Sequence, residues 1–168
     1  MLSVLAKIFK TGCLTEKFVL QETTMQLGAA CQKEISRIFR KSLAIRMVDA
    51  GSCNGCELEM HALNNSFYDI ERFGIHFVAS PRHADLLLVT GPVARHMQAA
   101  LKATYDATPN PKLVIAMGDC GADGGEFGVS YASCGAVANV IPVDAVIRGC
   151  PPTPTQLLQG ILHLLQRC

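Results

Sequence analysis

The stretch Asp49-Ala-Gly-Ser-Cys53-Asn-Gly-Cys56-Glu-Leu-Glu59 decides how the rest of the chain is interpreted. It follows an apolar run over residues 42–48 and precedes a segment with helical spacing, so the two thiols lie at a predicted strand-to-helix turn. The N–H groups at the start of a helix favour the thiolate form of a nearby cysteine. This arrangement suits soft metal chemistry, because both sulfurs can converge on one ion or one cluster.

The composition indicates a globular domain in a reducing compartment. The chain has 168 residues, 49% of them hydrophobic, which is enough for one domain with a real core. A net charge of +1 argues against a nucleic-acid-binding protein, which would carry a basic patch. No secretory signal and no apolar run of about 18 residues is recognisable, so the cytoplasm is the expected compartment. There, eight cysteines indicate metal binding or catalysis rather than a disulfide framework.

Short apolar strands and helical segments alternate along most of the chain. Strands are predicted over residues 42–50, 75–79, 84–90, 112–118 and 143–148, helices over 21–40, 57–72, 93–105 and 155–166, and a glycine-rich loop over 118–128. This alternation predicts a parallel sheet with helices on both faces, in an α/β, flavodoxin-like, doubly wound domain.

The predicted domain covers residues 42–168, and residues 1–41 form an N-terminal extension with an amphipathic helix. The first ten residues are weakly amphipathic. Two interpretations of them stay open, a frayed terminus or a segment that lies on a membrane or a partner.

Four cysteines are predicted to meet at one edge of this sheet. Ligand sites in open parallel sheets form beyond the carboxyl ends of the strands. Cys53 follows the first strand, Cys120 follows the strand at 112–118, and Cys150 follows the strand at 143–148. Cys56 opens the first helix after the first strand. Three separate loops therefore bring four thiols to the same edge.

Four thiolates suit either Zn²⁺ or an iron–sulfur cluster. Structural zinc usually takes two local pairs of ligands, whereas this chain has one pair and two isolated cysteines, which favours a cubane cluster. A thioredoxin-type redox pair at Cys53 and Cys56 remains an alternative. A phosphate-binding role for the loop at 118–125 is disfavoured, because the loop lacks the Lys and Ser/Thr pattern of a P-loop.

The other cysteines are assigned mainly to packing. Cys31 lies on the apolar stripe of the first helix and is predicted to be a small buried hydrophobe. Cys134 could be a fifth ligand candidate, but a packing residue is expected. Cys13 and Cys168 lie near the termini and receive no role.

Three motifs together resemble a known protein family. Gly51-Ser-Cys-Asn-Gly-Cys-Glu-Leu-Glu59, Gly118-Asp-Cys-Gly121 and Gly149-Cys-Pro-Pro-x-Pro154 are similar to the small, electron-transferring subunit of membrane-bound, group 4 energy-converting [NiFe] hydrogenases. That subunit is homologous to the 20 kDa, subunit-B-type protein of complex I. The resemblance covers roughly residue 43 to the C-terminus. Complex I members carry two adjacent cysteines at the first position, so the Cys-x-x-Cys spacing here favours the hydrogenase branch.

The resemblance implies that Cys53, Cys56, Cys120 and Cys150 ligate a single [4Fe–4S] cluster. It implies a nickel–iron centre in a separate large subunit, a partner with ferredoxin-like clusters, and membrane-arm subunits that hold the chain peripherally on the cytoplasmic side of the membrane. The chain would then be a non-catalytic electron-transfer subunit of an oxidoreductase.

Two other functions stay open at this stage. One is a subunit-B-type protein of a complex I-like NADH or ferredoxin:quinone oxidoreductase, whose cluster donates to quinone. The other is a zinc-stabilised or flavin-binding α/β module that has no partner.

Charged residues beside the ligand motifs have two interpretations each. Glu57 and Glu59 are either a proton relay or solvated acids at a helix start, where the helix dipole favours negative charge. Arg148 either raises the cluster potential or contacts a partner, or it forms a plain salt bridge.

Overall fold

A computed structural model describes residues 23–168; the amphipathic first ten residues and Cys13 lie outside this range. The helices are α1 (Thr23–Phe39), α2 (Gly55–Ala62), α3 (Gln98–Ala107), α4 (Gly118–Asp123) and α5 (Pro154–Arg167), and the strands are β1 (Leu43–Asp49), β2 (Ile75–Phe77), β3 (Leu86–Thr90), β4 (Leu113–Met117) and β5 (Ala145–Ile147). Short 3₁₀ turns link several of them.

The five strands form one parallel sheet in the order β2-β1-β3-β4-β5. This order is the flavodoxin-like, doubly wound arrangement, so the predicted fold class is confirmed. The central strand β3 pairs with both β1 and β4 over its whole length, and all five of its residues are buried. Burial on both faces explains why its sequence is continuously apolar rather than alternating.

Side chains of β3 point alternately into two cores. Leu86 and Leu88 pack in the core on the face that carries α1, α2 and α5. Leu87 and Val89 pack in the core on the opposite face, with Leu101 of α3. The sheet therefore has helices on both sides, and only its strand ends and edges are left for a site.

Helix α1 packs into the first core. Cys31 and Ile35 are buried there with residues of α5, and the Cys31 thiol donates to the Leu158 carbonyl at 3.7 Å. Burial raises the pKa of the Cys31 thiol to about 11. Cys31 is thus a core residue, as the sequence predicts.

The helix predicted over residues 57–72 is wrong in its second half. Helix α2 ends at Ala62, and a 3₁₀ turn over Ile70–Phe73 follows after a series of turns. The Asn65 side chain accepts hydrogen bonds from the N–H groups of Phe67 and Tyr68, at 2.9 and 3.0 Å. Such side-chain bonds offer the backbone an alternative to the helix, which explains the early end.

Two other boundaries differ from prediction. The loop expected over residues 118–128 contains helix α4, which ends at Gly124 in a left-handed conformation. A helix is predicted from residue 93, but the α-helix α3 begins only at Gln98, after a 3₁₀ turn over Arg95–Met97. The backbone N–H groups of Val93 and Arg95 instead donate to carbonyls at Gly135 and Ala132.

Candidate metal centre

The turn between β1 and α2 is closed by the side chain of Asp49. Its Oδ1 accepts hydrogen bonds from the backbone N–H groups of Gly51 and Ser52, each at 2.8 Å. Asn54 has a φ of 70° and directly precedes α2, so the chain reverses there. The turn places Cys53 in the loop and Cys56 in the first turn of the helix.

The loops after β4 and β5 are bonded to each other. The Asp119 N–H donates to the Gly149 carbonyl at 3.0 Å, and the Gly149 N–H donates to Asp119 Oδ1 at 3.1 Å. Arg148 forms a salt bridge with Asp123 at 2.9 Å and a longer one with Asp119 at 3.9 Å. These contacts fix the positions of the two loops that carry Cys120 and Cys150. The structure therefore shows Arg148 in a salt bridge, which is one of the interpretations that the sequence leaves open.

All four predicted cysteines line one cavity of about 120 Å³ at the carboxyl edge of the sheet. The cavity wall also includes Gly55, Gly118, Gly149 and Pro151. Cys53 and Cys150 are exposed, whereas Cys56 and Cys120 are partly buried. Three segments that are far apart in sequence, each following a strand of the sheet, therefore gather four thiols around one space.

The thiols in this cavity influence each other electrostatically. The pKa of Cys56 is raised to about 12 by burial and by the negative charges of Glu57 and of the other three cysteines when ionised. Burial also raises the pKa of Cys120, with further contributions from Cys150 and Cys53. A positively charged metal centre among the sulfurs would lower the pKa of these thiols instead, because the metal attracts thiolates. Coordinated thiols therefore lose their protons.

Two glycines keep space free beside the sulfurs. Gly118 has a φ of +81°, and a Cβ at this position would lie 2.8 Å from Cys56 Sγ. At Gly125, φ is +50°, and a Cβ there would lie 2.9 Å from Cys120 Sγ. Both distances are too short for a side chain. The open space and the set of four soft donors fit a thiolate-bound iron–sulfur cluster.

Within residues 23–168, no group of three or more His, Cys, Asp or Glu side chains is arranged to hold one metal ion.

Glu57 is buried directly behind the cysteine cavity. Its side chain is only 4% exposed. Ser52 Oγ donates to Glu57 Oε2 at 2.6 Å, and the hydroxyl of Thr90 donates to Glu57 Oε1. The solvated interpretation is therefore wrong for Glu57, because its carboxylate is enclosed by two hydroxyl groups. Glu59, two residues later, is half-buried.

Sequence reasoning missed Ser52 and Thr90 as partners of Glu57. Thr90 is fully buried at the end of β3, where it is the one polar residue of an otherwise apolar strand. A hydroxyl at the carboxyl end of a buried strand was a usable signal, because buried polar groups require hydrogen-bond partners. Its partner could not be read from the sequence, since residues 57 and 90 lie on different elements.

The remaining cysteines of the described region lie away from the cavity. Cys134 is 9% exposed and packs in the core between the sheet and α3. It is a packing residue, as expected, and the Cys168 thiol contacts the Leu164 carbonyl at 3.4 Å at the end of α5.

The helices of residues 23–168 are too short or too polar to cross a membrane.

Comparison with known proteins identifies relatives among hydrogenase and formate hydrogenlyase subunits. The chain is 42% identical to the probable membrane-bound hydrogenase subunit mbhJ of Pyrococcus furiosus, over 80% of both chains. It is 43% identical to formate hydrogenlyase subunit 7 of Escherichia coli, over 87% of this chain and 56% of that protein.

A solved structure also resembles this fold. It belongs to the membrane-bound sulfane sulfur reductase, an archaeal respiratory membrane complex, and matches with a TM-score of 0.67 and 37% identity. The match covers 81% of this chain and 74% of the other. The family described as "NADH ubiquinone oxidoreductase, 20 Kd subunit" matches residues 53–164, a range that contains all four cavity cysteines. The chain therefore belongs to the family of the complex I 20 kDa subunit and the [NiFe] hydrogenase small subunit.

Proposed function

We propose that this chain is the electron-transfer subunit of a membrane-bound [NiFe] hydrogenase complex. It binds a single [4Fe–4S] cluster through Cys53, Cys56, Cys120 and Cys150, next to a nickel–iron centre in a partner large subunit. The cluster supplies one-electron transfer between H₂ or protons and the ferredoxin-type clusters of a further subunit. Membrane-arm subunits hold the chain peripherally on the cytoplasmic side of the membrane.

The observation that carries this proposal is the single cavity lined by all four cysteines. Iron–sulfur clusters are held by cysteine thiolates, and four of them match the donor set of one cubane. The hydrogenase relatives support the choice of complex, and so does the Cys-x-x-Cys spacing of the first two ligands.

The chain's own residues hold the ligands in place. The Asp49 turn positions Cys53, and the bonds between Asp119 and Gly149 couple the loops of Cys120 and Cys150. Preorganised ligand loops lower the cost of ordering when a group binds. Glycines of these loops leave backbone N–H groups free to approach cluster sulfurs, which helps to set the reduction potential.

A partner would cover the exposed side of this site. Cys53 and Cys150 are exposed, and so are the large apolar side chains of Leu58, two residues after Cys56, at 61%, and of Phe127 at 62%. Exposed large apolar side chains of this kind mark interaction surfaces. The large subunit is the occupant that we assign to it.

Glu57 and Glu59 keep the proposed role of a proton relay beside the cluster. The hydroxyl groups of Ser52 and Thr90 connect to the Glu57 carboxylate and extend the hydrogen-bonded path on both sides of it. A relay needs such unbroken contacts, because proton transfer occurs between groups in hydrogen-bond reach.

The experiment exposes the purified complex anaerobically to H₂ and records the reduction of the cluster by EPR. We expect a reduced-cubane signal beyond those of the partner subunit's clusters in the wild-type complex and in Cys134→Ala, and the loss of this one signal in Cys56→Ala. A cluster that responds to a reduced quinone but not to H₂ would favour the complex I-like alternative. Bound zinc or flavin in a monomer without partners would support the remaining alternative.

A further inference from the structure

A second cavity of about 250 Å³ lies at the sheet edge where β2 ends. Strand β2 pairs with β1 only as far as Phe77 opposite Ile45, and the chain then leaves the sheet. Beyond that point β1 pairs only with β3. The cavity is lined by Arg46 and Met47 of β1, by Met60 and His61 of α2, and by Asn64, Phe77, Val78 and Ala79.

The guanidinium group of Arg46 carries an unpartnered donor in this cavity. Within residues 23–168, its Nε is the buried side-chain nitrogen that lacks a hydrogen-bond partner. None of the residues that line the cavity is acidic, and its polar lining residues His61 and Asn64 do not accept from the Arg46 Nε. A buried donor of a charged group is costly to leave unpaired, so the geometry calls for an acceptor from outside these elements.

The shape of the cavity restricts the kind of acceptor. Its volume is below the range of about 300–1,000 Å³ that is common for small-molecule and cofactor sites. Part of the wall is formed by the apolar side chains of Met47, Met60 and Phe77. A carboxylate on a short apolar stem suits both the Arg46 guanidinium and this apolar part of the wall, because the planar guanidinium matches the two oxygens of a carboxylate.

The surroundings of the cavity indicate that this carboxylate comes from another protein. Leu58 is 61% exposed and lies three residues before His61, on the same side of α2. Phe67, in the turn after α2, is 70% exposed. Exposed large apolar side chains are typical of protein–protein interfaces, and a buried Arg among them commonly anchors the partner protein.

We infer that this cavity receives an acidic side chain, Asp or Glu, of a partner subunit, which pairs with Arg46 and anchors the partner on the α2 side of the sheet. The inference rests on the proposed function only in assuming that the chain works inside a complex. It does not depend on the cluster.

A zero-length cross-linking experiment tests this pairing. The full chain carrying Arg46→Lys is co-purified with its partner subunits and treated with a carbodiimide, which couples an amine to a carboxylate in contact with it. Arg82→Lys is the matched control, because Arg82 is exposed and lies outside this cavity. We expect mass spectrometry to find residue 46 joined to an Asp or Glu of a partner subunit, with no equivalent coupling of residue 82.

Two results would overturn the inference. One is the absence of coupling at residue 46 in a complex that retains all its subunits. The other is coupling to Glu16 or Glu22, which would assign the cavity to this chain's own N-terminal segment. Coupling of residue 46 to a partner in a complex without iron would support this inference and contradict the proposed function. An iron-loaded complex without that coupling would support the proposed function and contradict this inference.

A second variant measures the strength of the pairing. Arg46→Met keeps the apolar stem and removes the charge, and we expect it to weaken retention of the anchored partner at least about tenfold, because its acidic side chain is left buried without a partner. The iron content and the melting temperature of the chain should match those of Arg82→Met. Equal retention of the partner by both variants would contradict the pairing.

Discussion

Glu57 joins three parts of the site through a single carboxylate. It follows Cys56 on α2, accepts from Ser52 in the preceding loop and accepts from Thr90 at the end of β3. A buried carboxylate is tolerated only when its oxygens are hydrogen-bonded, and here both oxygens have a hydroxyl donor. The loop, the helix and the central strand are thereby held in a fixed relation behind the cysteine cavity.

Removing this carboxylate is expected to destabilise the chain. Glu57→Leu leaves the buried Thr90 hydroxyl with only its long, 3.4 Å hydrogen bond to the Val48 carbonyl and removes the acceptor of Ser52, so the free energy of unfolding should fall by about 1–3 kcal/mol. Urea unfolding of the wild-type and variant chains measures the difference. Glu59→Leu is the control, because Glu59 is half-buried, and its effect should stay within about 0.5 kcal/mol. Equal losses in both variants would contradict the role assigned to Glu57.

The cysteines should differ sharply in their reactivity. Burial raises the pKa of Cys31 from 9.0 to about 11. Its thiolate fraction at pH 8 is then about 0.1%, compared with about 10% for an unshifted thiol, because deprotonation follows the difference between pH and pKa. Brief alkylation of the native, cluster-free chain at pH 8 should label the exposed Cys53 and Cys150 and leave Cys31 unmodified.

The same labelling reports on the cluster. In the loaded complex Cys53 and Cys150 should become protected, because coordinated sulfurs are not free to react. Peptide mapping by mass spectrometry gives the modified fraction at each position. Rapid modification of Cys31, or equal labelling of Cys53 with and without bound iron, would be inconsistent with the assigned environments.

At the scale of elements, the junction between β4 and α4 controls the space beside Cys56. Gly118 opens α4 with a φ of +81°, and a Cβ there would lie 2.8 Å from Cys56 Sγ. Gly74 offers a comparison, because its φ is +77° and the atom nearest its would-be Cβ, Ser42 Cα, lies at 3.9 Å, which is ordinary contact. Both positions have a positive φ that strains an alanine, but only Gly118 crowds a ligand.

We expect Gly118→Ala to lose most of the bound iron while Gly74→Ala retains it. The left-handed conformation costs each variant about 1–2 kcal/mol of stability. The difference in iron content between them isolates the crowding of the Cys56 sulfur. Iron and sulfide analysis of the two complexes provides the measurement, and equal iron content would show that the space beside Cys56 is not used by a cluster.

The elements that the sequence predicts well are those whose pattern reflects burial. β3 is continuously apolar because both of its faces are covered, and α5 has a regular apolar stripe and a capping box formed by Thr153 and Gln156. The end of α2 was missed because it depends on hydrogen bonds of the Asn65 side chain. Helix α4 was missed because six residues rich in glycine carry no periodicity.

For the whole molecule, the parallel sheet explains why distant cysteines can be found from sequence. The carboxyl ends of parallel strands lie at one edge, so the loops after β1, β4 and β5 meet there whatever their separation in the chain. The gathering of Cys53, Cys120 and Cys150 was therefore predictable from the strand assignments. The Glu57 contacts and the Arg46 cavity were not, because they depend on which side chains face each other and on where β2 leaves the sheet.

The most direct test of the four-cysteine site is the iron and acid-labile sulfide content of the anaerobically purified complex, with reduced-state EPR of the same sample. Cys120→Ala is compared with Cys134→Ala, which removes a buried thiol outside the cavity. The partner subunits carry the same iron in both samples, so the difference in iron content between wild type and Cys120→Ala gives the iron of this site alone. We expect a difference of about four irons and four sulfides per chain, with one cubane signal lost in Cys120→Ala and kept in Cys134→Ala. An unchanged iron content and spectrum in Cys120→Ala, or one zinc per chain in place of iron, would contradict the assignment.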